Sequence, residues 1–141
     1  MGILLDTGFL YALVDQDDNK HEEAQNILKE TDWKTKAPII STALVVNETY
    51  TLLLYRSNGN ADVLKGLDPY FWREAKFFRI LPHSISDYRE IRNTMGKFCS
   101  PSKKLSFVDA SLIHYGMLLK IKEIASFDGH FDGIFSRLAT L

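Results

Sequence analysis

Four acidic residues of this 141-residue chain occur in apolar surroundings, where a charged side chain needs a partner: Asp6, Glu48, Asp109 and Asp128. A carboxylate that is buried without a compensating group is costly. Acids that are distant in sequence but meet in space also repel one another, and such a cluster persists when divalent cations neutralise it. Carboxylate oxygens suit Mg²⁺ or Mn²⁺, and the absence of clustered Cys and His argues against zinc. Cations of this kind support phosphodiester hydrolysis.

Each acid also has a plainer interpretation that the sequence leaves open. Asp109 lies three residues after Ser106, so the pair fits a capping box that closes the start of a helix. Asp6 fits the N-cap of the helix expected at about 9–14. Glu48 lies in the middle of an apolar helical stretch, too far from its start for a helix-dipole role, although a narrow exposed polar strip would also accommodate it.

The surrounding pattern predicts the elements that position these acids. Short apolar runs at 2–5, 37–40, 77–81 and 124–127 indicate buried strands, and 137–140 fits an edge strand. Helices are expected at about 9–14, 20–29, 43–55 (capped by Ser41 or Thr42), 87–98 (capped by Ser86) and from 107 onward. Alternating strands and helices predict an α/β fold, a three-layer α/β/α sandwich with a central, mostly parallel sheet. Asp6 and Asp128 then follow the carboxyl ends of strands, where ligands bind in such sheets.

Composition limits the function classes. Residues 1–141 have the size of one domain, and 45% hydrophobic with 25% charged residues is typical of a soluble globular protein. The net charge of −1 shows no overall basic field. A single cysteine, Cys99, leaves no internal disulfide and suits a reducing compartment. No apolar run has the length of a membrane span, and no signal peptide is recognisable, so we expect a cytoplasmic protein without a membrane partner.

The acidic pattern resembles the PIN domain, most closely the short ribonucleases of the VapC toxin type. The motifs that carry the resemblance are 3–7 (ILLDT), 46–49 (VNET), 105–110 (LSFVDA) and 126–128 (SFD) followed by Phe131. Each motif is short, but the four occur in the family's order over almost the whole chain. Only the segment 58–78, with Pro69 and three consecutive aromatic residues, matches no motif of the family.

The resemblance implies Mg²⁺- or Mn²⁺-dependent cleavage of single-stranded RNA, commonly by a homodimer, with a small antitoxin protein as partner in toxin members. On this basis Asp6, Glu48, Asp109 and Asp128 are expected to be catalytic and to hold the metal. Thr7 and Ser126 are expected to orient water or a carboxylate behind them, and Asp132 is a reserve candidate.

Two further expectations concern the nucleic acid. The basic residues Lys103, Lys104, Arg89 and Arg92 are candidates for steering the RNA backbone, although 99–104 is equally a solvated loop. The alternative function is a PIN-like RNA-binding or regulatory module that does not cleave. Haloacid dehalogenase-like phosphatases fit less well, because they need a second Asp where this chain has Gly8.

Overall fold

A parallel sheet of five strands forms the centre of the protein. The computed structural model describes residues 1–72 and 78–139. In these residues the strands are β1 (Ile3–Leu5), β2 (Ile39–Thr42), β3 (Arg79–Leu81), β4 (Glu123–Ala125) and β5 (Ser136–Arg137). Their order across the sheet is β3-β2-β1-β4-β5, and every neighbouring pair is parallel. The predicted α/β class with a parallel central sheet is confirmed.

Helices follow the strands and cover the sheet. They are α1 (Thr7–Val14), α2 (His21–Glu30), α3 (Trp33–Lys36), α4 (Ala43–Arg56), α5 (Asp68–Phe71), α6 (Ile85–Phe98) and α7 (Phe107–Leu119), with 3₁₀ turns at Ala61–Leu67 and Gly129–Phe131. Among the described residues, no helix is both long and apolar enough to cross a membrane.

The central strand β1 is completely buried. Ile3, Leu4 and Leu5 have no exposed surface, as expected for a strand covered on both faces. Helix α7 lies close to this strand because it carries a glycine at the contact. A Cβ atom on Gly116 would lie 2.4 Å from the ring of Phe135 and 3.2 Å from Leu4. The glycine therefore sets how closely α7 approaches the sheet.

Two predicted helix starts can now be decided. Thr42, and not Ser41, caps α4, since its hydroxyl accepts a hydrogen bond from Val45 N at 3.2 Å. The predicted cap at Ser86 is wrong, because α6 begins one residue earlier, at Ile85, and Ser84 caps it. Ser84 has an acid three residues downstream, Asp87, and the two form a reciprocal capping box.

Two inner strands are shifted from their predicted bounds: 37–40 is β2, Ile39–Thr42, and 124–127 is β4, Glu123–Ala125. Further differences lie at the edges of the sheet. The strand predicted at 77–81 begins at Arg79, and Phe77 lies outside the described residues. The edge strand predicted at 137–140 is β5, Ser136–Arg137, and Thr140 also lies outside the described part of the chain. In segment 58–78, Phe71 enters the core whereas Trp72 is 59% exposed.

Candidate active site

All four predicted acids line one cleft at the carboxyl ends of the strands. The cleft has a volume of about 510 Å³. Asp6 reaches it from the end of β1, Glu48 from α4, Asp109 from the first turn of α7, and Asp128 from the segment after β4. The parallel sheet explains the convergence, because β1, β2 and β4 are neighbours and their carboxyl ends meet at one edge.

Asp6 is the deepest of these acids, with only 6% of its surface exposed. Oδ1 accepts a hydrogen bond from Thr7 N at 2.7 Å, and Oδ2 accepts one from the Ser126 hydroxyl at 2.7 Å. The pKa of Asp6 is raised from 3.8 to about 7. Burial is the largest cause, the negative charges of Asp109 and Asp128 add to it, and the two hydrogen bonds oppose it. The expected N-cap role and the position in the cleft are both present.

Asp109 likewise combines the two roles that the sequence left open. Its Oδ2 accepts a hydrogen bond from Ser106 N at 3.3 Å, and its own N–H donates to the Ser106 hydroxyl at 3.0 Å, which completes a capping box. The same side chain lines the cleft. Burial raises the pKa of Asp109, and the charge of Asp128 adds to this, whereas the bond from Ser106 opposes it. The cap therefore orients an acid that still faces the cleft.

Asp128 brings a histidine into the cluster that the sequence analysis missed. One carboxylate oxygen each from Asp109 and Asp128 and one ring nitrogen of His130 lie within 4.8 Å of one another. Oδ1 of Asp128 accepts a hydrogen bond from His130 N at 2.8 Å, and the ring Nδ1 of His130 is 3.5 Å from the same oxygen. The sequence offered one indication of this contact, since His130 follows Asp128 by two residues. A single histidine with no second histidine or cysteine nearby was not recognised as a possible metal ligand.

Ser126 joins the two halves of the acidic cluster. Its hydroxyl donates to the Asp6 carboxylate and accepts from the backbone N–H of Asp128 at 3.0 Å, so one side chain contacts both acidic residues. Thr7 lines the cleft, and its hydroxyl is buried without a hydrogen-bond partner among the described residues. Ser126 therefore contacts an acid as the sequence analysis expected, whereas the supporting role of the Thr7 hydroxyl stays a prediction.

The donor set fits a hard divalent cation. Several carboxylate oxygens with one imidazole nitrogen are compatible with Mg²⁺ and, because of the imidazole, still more with Mn²⁺. Burial is the main cause of the raised pKa of Asp6, and the charges of Asp109 and Asp128 contribute to it. A bound cation would offset this repulsion between the acids.

The basic residues at the cleft are not those that the sequence suggested. Lys20, whose Nζ lies 5.5 Å from the centre of the Phe127 ring, and Arg56, at the end of α4, line the cleft. Arg56 could have been found from its spacing, because it lies eight residues after Glu48 and therefore on the same helix face. Lys20 comes from the polar loop before α2, and no sequence pattern marks it.

The predicted RNA-steering residues lie elsewhere. Arg89 and Arg92 are exposed on α6, and Lys103 and Lys104 belong to the loop before α7; none of the four lines the cleft. The reserve candidate Asp132 accepts two hydrogen bonds from the Arg137 guanidinium, at 2.7 and 3.1 Å, so it has a structural partner.

Comparison of the solved structures shows the same architecture in other proteins. VapC20 of Mycobacterium tuberculosis, described as a sarcin–ricin loop cleaving toxin, aligns with a TM-score of 0.78 at 22% identity, over 97% of this chain and 98% of its own. FitAcB from Neisseria gonorrhoeae aligns with a TM-score of 0.61 at 20% identity, over 96% of each chain. A search of curated protein sequences finds no match. The model of the PIN domain family matches residues 3–135. This chain therefore belongs to the PIN domain family.

Proposed function

We propose that the protein is a divalent-metal-dependent endoribonuclease that hydrolyses phosphodiester bonds of single-stranded RNA, with Asp6, Glu48, Asp109 and Asp128 as its catalytic, metal-holding acids. The observation that carries the proposal is the convergence of these four acids, from four separate elements, on one cleft. Membership of the PIN family and the resemblance to VapC20 support it.

The positions of the acids in the cleft indicate how each would contribute to metal binding. Asp109 and Asp128, with the His130 ring close to both, offer the outer ligands to Mg²⁺ or Mn²⁺. Asp6 offers the buried one, and Glu48 faces the same cleft from α4. When bound, such a cation polarises phosphate oxygens and activates water for phosphodiester hydrolysis.

The surrounding side chains prepare these ligands. The Ser126 hydroxyl orients the carboxylate of Asp6 and fixes the backbone of Asp128, and the backbone N–H of Ser106 orients the carboxylate of Asp109 in the capping box. Such supporting hydrogen bonds keep ligand geometry and charge appropriate for a metal. Lys20 and Arg56 supply positive charge at the rim, where an RNA backbone would approach.

The biological setting that we propose is a toxin–antitoxin pair. VapC20, which has the same fold, is described as a toxin that cleaves the sarcin–ricin loop. We therefore propose that this chain acts in the cytoplasm as a homodimer that a small antitoxin protein holds inactive. The RNA-steering roles of Lys103, Lys104, Arg89 and Arg92 remain predictions of the same proposal.

The test is cleavage of a 5′-labelled single-stranded RNA by the purified protein, with Mn²⁺, with Mg²⁺ and with EDTA. We expect cleavage with either metal and none in EDTA. Asp6→Asn should reduce the rate at least as much as the loss of an outer-sphere partner, which is about 10- to 100-fold. The matched control is Asp68→Asn, an exposed acid at the start of α5 that should cleave like the wild type.

Two outcomes would contradict the proposal. Cleavage that continues in EDTA or in Asp6→Asn would place the activity at another site. RNA that binds in the presence of Mn²⁺ but stays intact would favour the non-catalytic RNA-binding module instead.

A further inference from the structure

A second groove of about 450 Å³ adjoins the acidic cleft and shares Tyr11 and Arg56 with it. Its wall includes the apolar side chains of Val14, Leu53 and Val63, and polar side chains surround them. The two cavities thus border on the same two side chains, and a chain that leaves the acidic cleft past Arg56 would reach the groove.

Arg56 is held at this border in a defined position. Its Cζ lies 4.7 Å from the centre of the Tyr11 ring, and the Tyr11 hydroxyl donates to Asp15 Oδ2 at 2.5 Å, which fixes the ring. The Arg56 side chain is exposed, and within the described residues its guanidinium forms no ion pair with a carboxylate. It is therefore an oriented cation with charge available for an external anion.

The position of Arg56 along α4 separates it from the acids. Glu48, Leu52 and Arg56 all line the cleft because they follow one another at intervals of four residues on one helix face. Eight residues correspond to about 12 Å along the helix axis. This separation along the helix leaves room for one phosphate beside Glu48 and another beside Arg56.

The groove itself suits a nucleobase better than a phosphate. Asp15 and Asp17 line it, and these acids would repel a phosphate but can accept hydrogen bonds from exocyclic amino groups. The side-chain amide of Gln16 makes no hydrogen bond to the described residues. That of Asn60 uses only its oxygen, which accepts from Asp62 N at 3.1 Å. Free amides over an apolar wall are suited to the edges of an unstacked base.

We propose that this groove is a nucleotide subsite of the acidic cleft, in which Arg56 contacts a backbone phosphate next to the scissile one and the groove receives the adjoining base. The inference rests on the proposed ribonuclease function, since it extends the RNA path from the same cleft. It makes Arg56, Gln16 and Asn60 determinants of substrate binding and of base preference.

The test uses 5′-mononucleotides, which contain no phosphodiester bond to cleave. The four common ones are titrated in Mg²⁺ into ¹⁵N-labelled protein, and the side-chain amide signals of Gln16 and Asn60 are followed by NMR. We expect saturable shifts of both signals and unequal affinities for the four bases. Shifts confined to residues around the acids, or none in the groove, would overturn the proposal.

Matched arginine variants test the role of the charge. Arg56→Gln should weaken mononucleotide binding on the order of tenfold, as expected for loss of one charge-assisted contact. The affinity of Arg56→Lys should lie between those of the wild type and Arg56→Gln, because lysine keeps the charge but not the planar guanidinium. The control, Arg79→Gln, changes an exposed arginine at the opposite, amino-terminal end of β3 and should bind like the wild type. Equal affinities for Arg56→Gln and Arg79→Gln would refute the subsite.

These results are separable from the ribonuclease assay. Shifts of the Gln16 and Asn60 amide signals in a protein that cleaves no RNA would support the nucleotide subsite and contradict the ribonuclease function. RNA cleavage by the wild type would support the ribonuclease function but contradict the subsite if the Gln16 and Asn60 amide signals do not shift and Arg56→Gln binds mononucleotides like the wild type.

Discussion

The burial of Asp6 makes a specific prediction about stability and pH. In the metal-free protein its folded-state pKa is about 7, above the ordinary value of 3.8. The folded state therefore binds a proton that the unfolded state has released throughout this interval. The stabilising contribution of protonated Asp6 is fully present below pH 3.8 and is lost as the pH rises through about 7.

The size of the effect follows from the same two values. At about 1.4 kcal/mol per pH unit, the rise from 3.8 to about 7 corresponds to roughly 4 kcal/mol of unfolding free energy at pH 8. Asp6→Asn removes the ionisation and keeps the shape. Its amide oxygen can accept from Thr7 N, and its NH₂ group can donate to the Ser126 hydroxyl. Without metal, the variant should therefore be more stable than the wild type at pH 8, by up to this amount, and the difference should shrink towards pH 4.

Urea denaturation in EDTA at several pH values between 4 and 8 measures this difference. The difference reports the charge of Asp6 together with its repulsion of Asp109 and Asp128, since both neighbours raise the pKa of Asp6. Saturating Mn²⁺ should narrow the difference at pH 8, because it stabilises the wild type by about 2.7 kcal/mol at a hundredfold excess over Kd and the variant much less. A variant that is less stable than the wild type at pH 8 in EDTA, with a gap that does not change with pH, would refute the reasoning.

Three further predictions follow from the hydrogen bonds and the packing. Ser106→Ala should lower the unfolding free energy by about 1 kcal/mol but should still be stabilised by Mn²⁺. Asp109→Asn should retain most of the helix cap but lose the stabilisation by Mn²⁺. Urea denaturation with and without Mn²⁺ compares the two variants, and identical behaviour would contradict the dual role of Asp109. Ser126→Ala should raise the pKa of Asp6 further, because it removes a hydrogen bond that lowers this pKa, and should weaken Mn²⁺ binding at pH 7 by about 10- to 100-fold. Isothermal titration calorimetry measures the affinity, and an unchanged value would mean that this hydroxyl does not support the site. Gly116→Ala should destabilise the protein by about 1–3 kcal/mol in urea denaturation, because its methyl group would overlap an aromatic ring in the core, and a neutral result would show that α7 can shift away from the sheet.

The acids could be predicted because their signals are local. Asp6 directly follows a short apolar strand, and Asp109 lies three residues after a helix-capping serine, so each position is visible within a few residues of sequence. The parallel sheet then brings the strand ends together without any information about individual contacts. The same logic identified Thr42 as one of two candidates for the cap of α4.

The rest of the site depends on contacts between distant segments. The hydrogen bond from Ser126 to Asp6 joins residues 120 positions apart, and only the folded chain shows which oxygen it reaches. The positions of Lys20 and Arg56 depend on how a loop and a helix end pack beside the cleft. The wrong assignment of the cap to Ser86 has a local cause. Ser84 and Ser86 are both possible caps, but only Ser84 is followed three residues later by an acid that completes a capping box.

The proposed function depends on the binding of a divalent cation among the acids of this cleft. A crystal grown with Mn²⁺ and measured near the manganese absorption edge tests it directly. We predict an anomalous peak in the cleft, about 2–2.5 Å from carboxylate oxygens of Asp109 and Asp128 and close to Asp6. A cleft without a peak at saturating Mn²⁺, or a peak that persists there unchanged in Asp128→Asn, would contradict the account.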